Sequence, residues 1–295
     1  MDKKKSYGMT TGKRIGNGVT SVILNAIMLL FSLSCIFPLV WMLYSSLKVK
    51  REFNKDIISL PTDPTIQNFI DVLTNPDYHI GDSILNSVRT TVISVALIVF
   101  FGFIVGYFLA RIRFKGSKII WLMLLMGMLI PVHSLLVPIY VVFNRTGLSN
   151  QWFTLIIPYV AFGMPIAVFL CQSFIKEAPT ALEEAASIDG CSFSGTLFKV
   201  IMPICKPIMI TVAILQTFSC WNEFSFALVL IKDTALQTVP LAMTQFTGQF
   251  SSDYPKIMAA MLITMAPIVI LYFAFSKQII KGMVAGAVKG SPNHS

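Results

Sequence analysis

The sequence predicts an all-α, polytopic membrane protein with six transmembrane helices. Three observations lead there. Apolar residues fill 55% of the 295 positions and charged ones only 13%, against about a quarter charged in soluble domains. The apolar residues gather into six stretches, each near the roughly 20 residues a helix needs to cross a bilayer. The stretches are too long and too evenly apolar for barrel strands. Inside lipid only helices and closed barrels pair every backbone N–H and C=O.

The spans are predicted at Val19–Tyr44, Leu85–Ala110, Ile119–Phe143, Phe153–Ile175, Ile208–Ile231 and Ile257–Phe275. Six spans put both termini on one side. If that side is the cytoplasm, the 23 Lys and Arg residues favour it by 15 to 8, as the positive-inside rule asks. The net charge of +9 follows from this bias. The basic residues form no stripe that would track a nucleic acid, so no nucleic-acid partner is expected. The chain then divides into a cytoplasmic N-terminal segment, 1–18, a six-span domain, 19–280, and a cytoplasmic tail, 281–295.

Each element has its own reason. The first stretch follows the basic head Lys3–Lys5, but it is too long for a signal peptide and lacks a small-x-small cleavage site. It reads as an uncleaved span. Leu33-Ser34-Cys35 hints at a lipoprotein site, yet Ser32 stands where an aliphatic residue is usual. The longest segment between spans, Lys48–Ile84, is expected outside, with a short amphipathic helix at Ile66–Leu73 between proline- and asparagine-rich turns. Pro38, Pro131, Pro138, Pro158, Pro165 and Pro267 fall within spans, where each favours a kink. His133, beside Pro131, is expected to be packed or hydrogen-bonded. The five cysteines, Cys35, Cys171, Cys191, Cys205 and Cys220, include no C-x-x-C and are expected as reduced, packed thiols.

The informative segment is the inner loop at about 176–207. It reads as two short helices around a glycine. Thr180 followed by Glu183 has the spacing of a capping box, and Pro179 breaks continuity with the preceding span. Leu182, Ala185, Ala186 and Asp189 fall on one helical face, where two alanines would let another surface approach closely. Gly190 occupies the place of a left-handed helix terminator. Ser192 or Ser194 caps a second helix carrying Phe193, Leu197 and Phe198. Pro203 and Pro207 then lead into the fifth span.

Glu184-Ala185-Ala186, then Gly190 after three residues, then Val200-Ile201-Met202-Pro203 after nine more, resembles the signature of binding-protein-dependent ABC importer permeases. Val200 and Met202 stand where that family prefers Ile and Leu, and both remain apolar. The resemblance extends outward. Leu182–Gly190, Asn86-Ser87, Trp221-Asn222-Glu223-Phe224, Thr238-Val239-Pro240-Leu241 and Gly282–Gly290 are similar to the carbohydrate-uptake branch, and most of all to the smaller permease subunit of maltose-type or multiple-sugar importers.

The resemblance implies a type I importer permease fold in the inner membrane of a bacterium. It implies a sugar substrate and, within that class, an oligosaccharide. It also implies a second, different permease, two copies of an ATP-binding subunit and an extracytoplasmic sugar-binding protein. Leu182, Glu183, Glu184, Ala185, Ala186, Asp189, Gly190, Phe193 and Pro203 would then form the loop that docks on the ATPase. Gly286, Lys289 and Gly290 in the tail would touch the ATPase dimer. The segment Thr244–Tyr254 would reach toward the binding protein. Trp221, Asn222 and Glu223 are candidates for the translocation path; equally, Trp221 serves as an interfacial anchor and the two polar residues bond neighbouring helices.

No catalysis is expected on this chain. It has no G-x-x-x-x-G-K-[ST] loop: Gly8–Arg14 is one residue short and lacks the hydroxyl. ATP and Mg would bind the partner ATPase, and no cofactor is expected here. No H-E-x-x-H or His/Cys cluster suggests a metal. The competing reading is a stand-alone secondary transporter of a polar solute, which wants intramembrane acid pairs or repeated halves. Glu223 is the single candidate acid, and no halves repeat.

Overall fold

The computed structural model describes the backbone of residues 11–249 and 253–288, and the side chains of 20–244, 246 and 253–275. Among the described residues the chain is helical, with no strand. Five helices are long and apolar enough to cross a membrane: Thr20–Ser46, Pro76–Arg111, Ile156–Glu177, Phe193–Trp221 and Tyr254–Phe275. A sixth crossing exists only if the pair Ser117–Leu129 and Val132–Thr146 counts as one span, and that pair is bent by 96°.

The kink expected from Pro131 within Ile119–Phe143 is here a full break between two helices. The reason is local. Ile130 precedes Pro131 and takes an extended backbone, ψ 120°, because the proline ring clashes with a helical predecessor. Pro131 itself is extended as well, ψ 120°, so the helix restarts only after a 3-10 turn. His133 lies in that turn and is exposed rather than packed.

The chain divides into two compact units. The first comprises Met1–Asp71 and Ser252–Leu262. Here helix α1 (Thr11–Ser46) leads into α2 (Lys50–Lys55) and the start of α3 (Gln67–Thr74). The α3 helix lies one residue from its expected place. Asn68 donates from Nδ2 to the carbonyls of Ser46 (2.7 Å) and Lys48 (2.8 Å), tying α3 to the end of α1. The Phe53 ring stacks on Tyr254, 5.6 Å between centroids, and Lys256 pairs with Asp71 at 2.8 Å. The most apolar stretch of α1 buries no residue within the chain.

The second unit comprises Val72–Ser251 and Ile263–Ser295. Its centre is the seam between α4 (Ile80–Arg111) and α7 (Ile156–Glu177). Glycines on α4 let the backbones approach. A Cβ on Gly102 would lie 2.7 Å from Ala167 Cβ, and one on Gly106 would lie 2.9 Å from Cys171 Cβ. Ile98, Phe103, Ala167, Cys171 and Ile175 are fully buried along this seam. Lipid is as apolar as these side chains, so close packing holds the seam rather than escape from water. Gln172, also buried, donates to the Leu109 carbonyl at 3.0 Å.

Between the two seam helices run α5 (Ser117–Leu129) and α6 (Leu136–Thr146). After α7 come α8 (Ala181–Ile188), the single turn α9 (Phe193–Gly195) and α10 (Met202–Trp221). A π-helical stretch, Thr196–Ile201, joins α9 to α10 without a break. The fifth span therefore starts at Phe193 rather than at Ile208. The π stretch ends where Pro203, which has no N–H to donate, enters the first turn of α10. The same stretch ends early at Trp221, and α11 (Ser225–Leu230) is a separate short helix. The predicted loop at 232–256 holds a further helix, α12 (Val239–Gln249), before α13 (Tyr254–Val288).

Candidate functional site: the loop between α7 and α10

Ala178 ends α7 in an extended conformation, as the residue before Pro179 must. Helix α8 then starts at Ala181. The expected capping box does not form. Thr180 is already helical, φ −65° and ψ −23°, and its hydroxyl makes no cap bond. Glu183 goes elsewhere: its carboxylate accepts from Arg111 Nε at 2.7 Å and from the Tyr107 hydroxyl at 3.3 Å. Arg111 also donates from a terminal nitrogen to the Ala178 carbonyl at 2.6 Å. A charged guanidinium is a stronger donor than a neutral backbone N–H, so the tertiary partner wins. The pair is well covered, at 11% and 19% side-chain exposure. Sequence reading missed Arg111 and Tyr107 because their partner lies 72 or more residues away.

The glycine behaves as predicted. Gly190 has φ +78° with open space around its Cα. The Cys191 N–H reaches the Ala186 carbonyl (2.9 Å) and the Gly190 N–H reaches that of Ser187 (3.1 Å). These are the two bonds of a Schellman terminator. Of the two candidate caps, Ser192 is used: its Oγ accepts from the Gly195 N–H at 3.2 Å. Phe193 packs near Tyr107 and Phe108, at 6.0 and 5.9 Å between ring centroids.

The predicted face divides. Ala186 is buried, whereas Leu182, Ala185 and Asp189 are exposed, with Glu184 beside them. Ile188, which the sequence pattern did not single out, is 86% exposed, and Phe193 is 53% exposed. The loop is thus anchored through Glu183 and Ala186 and presents an apolar, acid-edged outer surface. Pro203 lies beyond the π stretch, in the first turn of α10.

Trp221, Asn222 and Glu223 do not share a surroundings. Trp221 is buried and lines an almost wholly apolar groove of about 350 Å³ with Val88, Val92, Val95, Thr217 and Leu271. Asn222 is exposed and donates back to the Phe218 carbonyl. Glu223 accepts from the N–H groups of Phe226 (2.7 Å) and Ala227 (3.3 Å) at the start of α11, and from the Tyr159 hydroxyl (3.0 Å).

Two segments singled out separately meet in space. Asn86 donates to the carbonyls of Ala235 (2.7 Å) and Gln237 (3.2 Å), and Ser87 Oγ accepts from the Val239 N–H (2.8 Å). The mouth of α4 thereby holds the entry to α12. In the tail, Gly286 lies on the described backbone of α13, while Lys289 and Gly290 lie outside the described residues, as do residues 250–252 of the Thr244–Tyr254 segment. Among the described residues no group of His, Cys, Asp and Glu is arranged to hold a metal.

The comparisons with known proteins agree with this architecture. A family described as "Binding-protein-dependent transport system inner membrane component" matches residues 99–284. The chain is 38% identical over 254 residues to a putative ABC transporter permease protein of Caldicellulosiruptor sp. (strain Rt8B.4), covering 86% of this chain and 91% of that one. It is 33% identical over 258 residues to a multiple sugar-binding transport system permease protein of Streptococcus mutans, covering 86% and 92%. A solved bacterial ABC transporter involved in alginate import contains a chain of the same fold, with a TM-score of 0.77 at 21% identity, covering 92% of this chain and 99% of that one. With more than half its length inside the family and relatives above 30% identity along most of both sequences, the chain belongs to the inner-membrane components of binding-protein-dependent transport systems.

Proposed function

We propose that this chain is one of two different transmembrane subunits of an ATP-driven importer that moves a sugar, most simply an oligosaccharide, across the inner membrane of a bacterium. Both termini lie in the cytoplasm. Two copies of a separate ATPase subunit bind ATP and Mg, and an extracytoplasmic binding protein delivers the sugar. The chain itself is not catalytic. It couples hydrolysis to transport through the loop at Glu184–Gly190. The sugar reading draws on the relatives: beside the multiple-sugar system, one is named a melibiose/raffinose/stachyose import permease and another a sulfoquinovosyl glycerol permease.

One observation carries the coupling role. The α8 loop is fastened to the body by Glu183 and Ala186, yet leaves Leu182, Ile188 and Phe193 uncovered. Such a piece transmits force: something seated on its outer face pulls on α4 through Arg111. In this reading Leu182, Glu184, Ala185, Ile188 and Asp189 meet the ATPase, and Gly286, Lys289 and Gly290 of the tail reach the ATPase dimer. Trp221, Asn222 and Glu223 border the path.

The test is Gly190→Asp in the assembled importer, reconstituted in liposomes with its binding protein. Aspartate tolerates a left-handed backbone better than most residues, but here it puts a carboxylate into the open space beside Gly190, which disturbs the outer face of the loop without unfolding the spans. The expected result is an intact complex by size-exclusion chromatography that loses sugar-stimulated hydrolysis and uptake together. Normal uptake by an intact mutant complex would overturn the coupling role. Uptake by the purified chain under an ion gradient, with no ATPase present, would favour a secondary transporter instead.

A further inference from the structure

The loop after α1 is built rather than slack. Lys48 is fully buried although it carries a charge. Its ammonium donates to the Asp56 carbonyl (2.9 Å) and to Ser59 Oγ (3.2 Å), and lies 5.7 Å from the centre of the Tyr44 ring. The Asp56 carboxylate accepts from the N–H groups of Ile58 (3.0 Å) and Ser59 (3.2 Å). Glu52 accepts from both the N–H and the hydroxyl of Thr62. These bonds fix the path of the chain from Lys48 to Thr62.

That path turns back along α1. Trp41 Nε1 donates to the Ile57 carbonyl (3.1 Å), and the Tyr44 hydroxyl donates to that of Ile58 (2.7 Å). Trp41 stands five residues before the helix end at Ser46, which is about 7.5 Å at 1.5 Å per residue. The loop therefore descends beside the last turn and a half of an apolar helix that is long enough to cross a membrane. With Lys48, Asp56 and one Glu52 oxygen bonded internally, it points Ile57, Ile58 and Leu60 outward, at 52%, 71% and 70% exposure. Lys50, Arg51 and Lys55 are exposed on the short helix just before them.

Two arguments choose the occupant of this surface. The first is continuity: Leu39, Val40 and Leu43, on the same end of α1, are about half exposed as well, and Trp and Tyr are the side chains that settle at a membrane–water boundary. The second is charge: an apolar surface edged by cations matches an acyl layer beneath anionic headgroups. We propose that residues 49–60 form an interfacial wedge, seating Ile57, Ile58 and Leu60 in the leaflet at this end of α1 and Lys50, Arg51 and Lys55 at anionic lipid headgroups. The wedge fixes the depth of α1 in the bilayer. It does not depend on the transport reading.

The test is a collision measurement on a spin label at Ile58→Cys, in the assembled complex in lipid nanodiscs. Exposed Cys35 and Cys191 are first replaced by Ser; Cys171, Cys205 and Cys220 are buried and stay. The label is expected to collide with oxygen and to lose access to a water-soluble nickel chelate, relative to a label at exposed Asp63→Cys. The oxygen-to-nickel ratio should be higher in phosphatidylglycerol than in phosphatidylcholine, and replacing Lys50, Arg51 and Lys55 by Gln should abolish that difference. Leu60→Cys serves as a second site should Ile58→Cys misfold. Free access to nickel would place the loop in water and overturn the wedge. Poor access to both probes would mean a protein covers it, which also overturns it. Oxygen access that is equal in both lipids would keep the wedge and overturn the headgroup contact.

Discussion

Gly106 and Gly190 are the same residue placed for opposite reasons. Gly106 lies in the α4–α7 seam, where a Cβ would sit 2.9 Å from Cys171 Cβ and 3.0 Å from the Gln172 backbone nitrogen. Gly190 has nothing within 4 Å but holds φ at +78°. The first is required by its neighbours and the second by its own backbone. The difference extends to the regions around them. The seam is completed within this chain, with its core side chains fully buried. The loop is covered on one side only: Glu183 and Ala186 are engaged, while Ile188 and Phe193 stay exposed. Substitutions in the seam should therefore damage the folded subunit, and substitutions in the loop should damage what the subunit does for its partners.

Gly106→Val tests the first half of that contrast most severely. The nearest obstacles include backbone, which cannot rotate away, so overpacking is expected to cost about 1–3 kcal/mol or more. The expected outcome is a lower unfolding temperature in detergent and less monodisperse protein, with uptake falling only as far as intact complex is lost. A stable Gly106→Val protein would mean the seam tolerates separation, and the contrast would fail.

Arg111→Gln probes the join between the two regions. It leaves the Glu183 carboxylate partly buried without its cation. Hydrogen bonds to charged groups contribute about 1.5–3 kcal/mol, and the cost is expected in that range. In a double-mutant cycle with Glu183→Gln, the pair should cost clearly less than the sum of the singles, because either change alone already removes the bond. Complexes that do assemble should move less sugar per ATP hydrolysed. Additive losses would show that the ion pair is not what ties α8 to α4.

What the sequence made legible follows from how local each feature is. Gly190 and α3 were readable because a left-handed terminator and a turn-bounded amphipathic helix are properties of a few consecutive residues. The apolar stretches were readable because lipid crossing depends on length and composition alone. Glu183 misled because two partners competed for it: Thr180 lay three residues away, whereas Arg111 lay 72 away and carried a charge. The clamp of Asn86 on Ala235 and Gln237 spans about 150 residues and leaves no local mark. Pro131 signalled a kink, but the apolar stretch resuming after His133 and Ser134 concealed that the chain turns by 96° there. The continuity of α9 with α10 was concealed for the opposite reason: Pro203 looks like a breaker but sits in the first turn of α10, just past the π stretch, and Pro207 is accommodated inside the helix.

Comparing Gly190→Ala with Gly190→Asn separates backbone conformation from mere smallness. Open space around the Cα means neither side chain meets a clash within the chain. Alanine in the left-handed region costs about 1–2 kcal/mol, and asparagine visits that region more readily. Unfolding temperature should barely move for either, whereas stimulated ATP hydrolysis should survive better in Gly190→Asn. If alanine did as well as or better than asparagine, φ would not be the property that matters, and room for the partner would be.

The smallest expected effect concerns the two serines that sequence alone left equivalent. Ser192 has an extended backbone, φ −68° and ψ 161°, and its Oγ accepts from the Gly195 N–H. Ser194 lies inside the turn, with its hydroxyl 3.3 Å from that of Ser192. Losing an N-cap oxygen costs about 1 kcal/mol, and this cap heads a helical run that continues through the π stretch to Trp221. Ser192→Ala should therefore speed amide hydrogen exchange at Gly195, while Ser194→Ala should leave it nearly unchanged. Equal protection in the two variants would mean that the run is held by the burial of Leu197 and Ile201 and not by its cap. The loop would then owe its rigidity to the same packing that governs the seam.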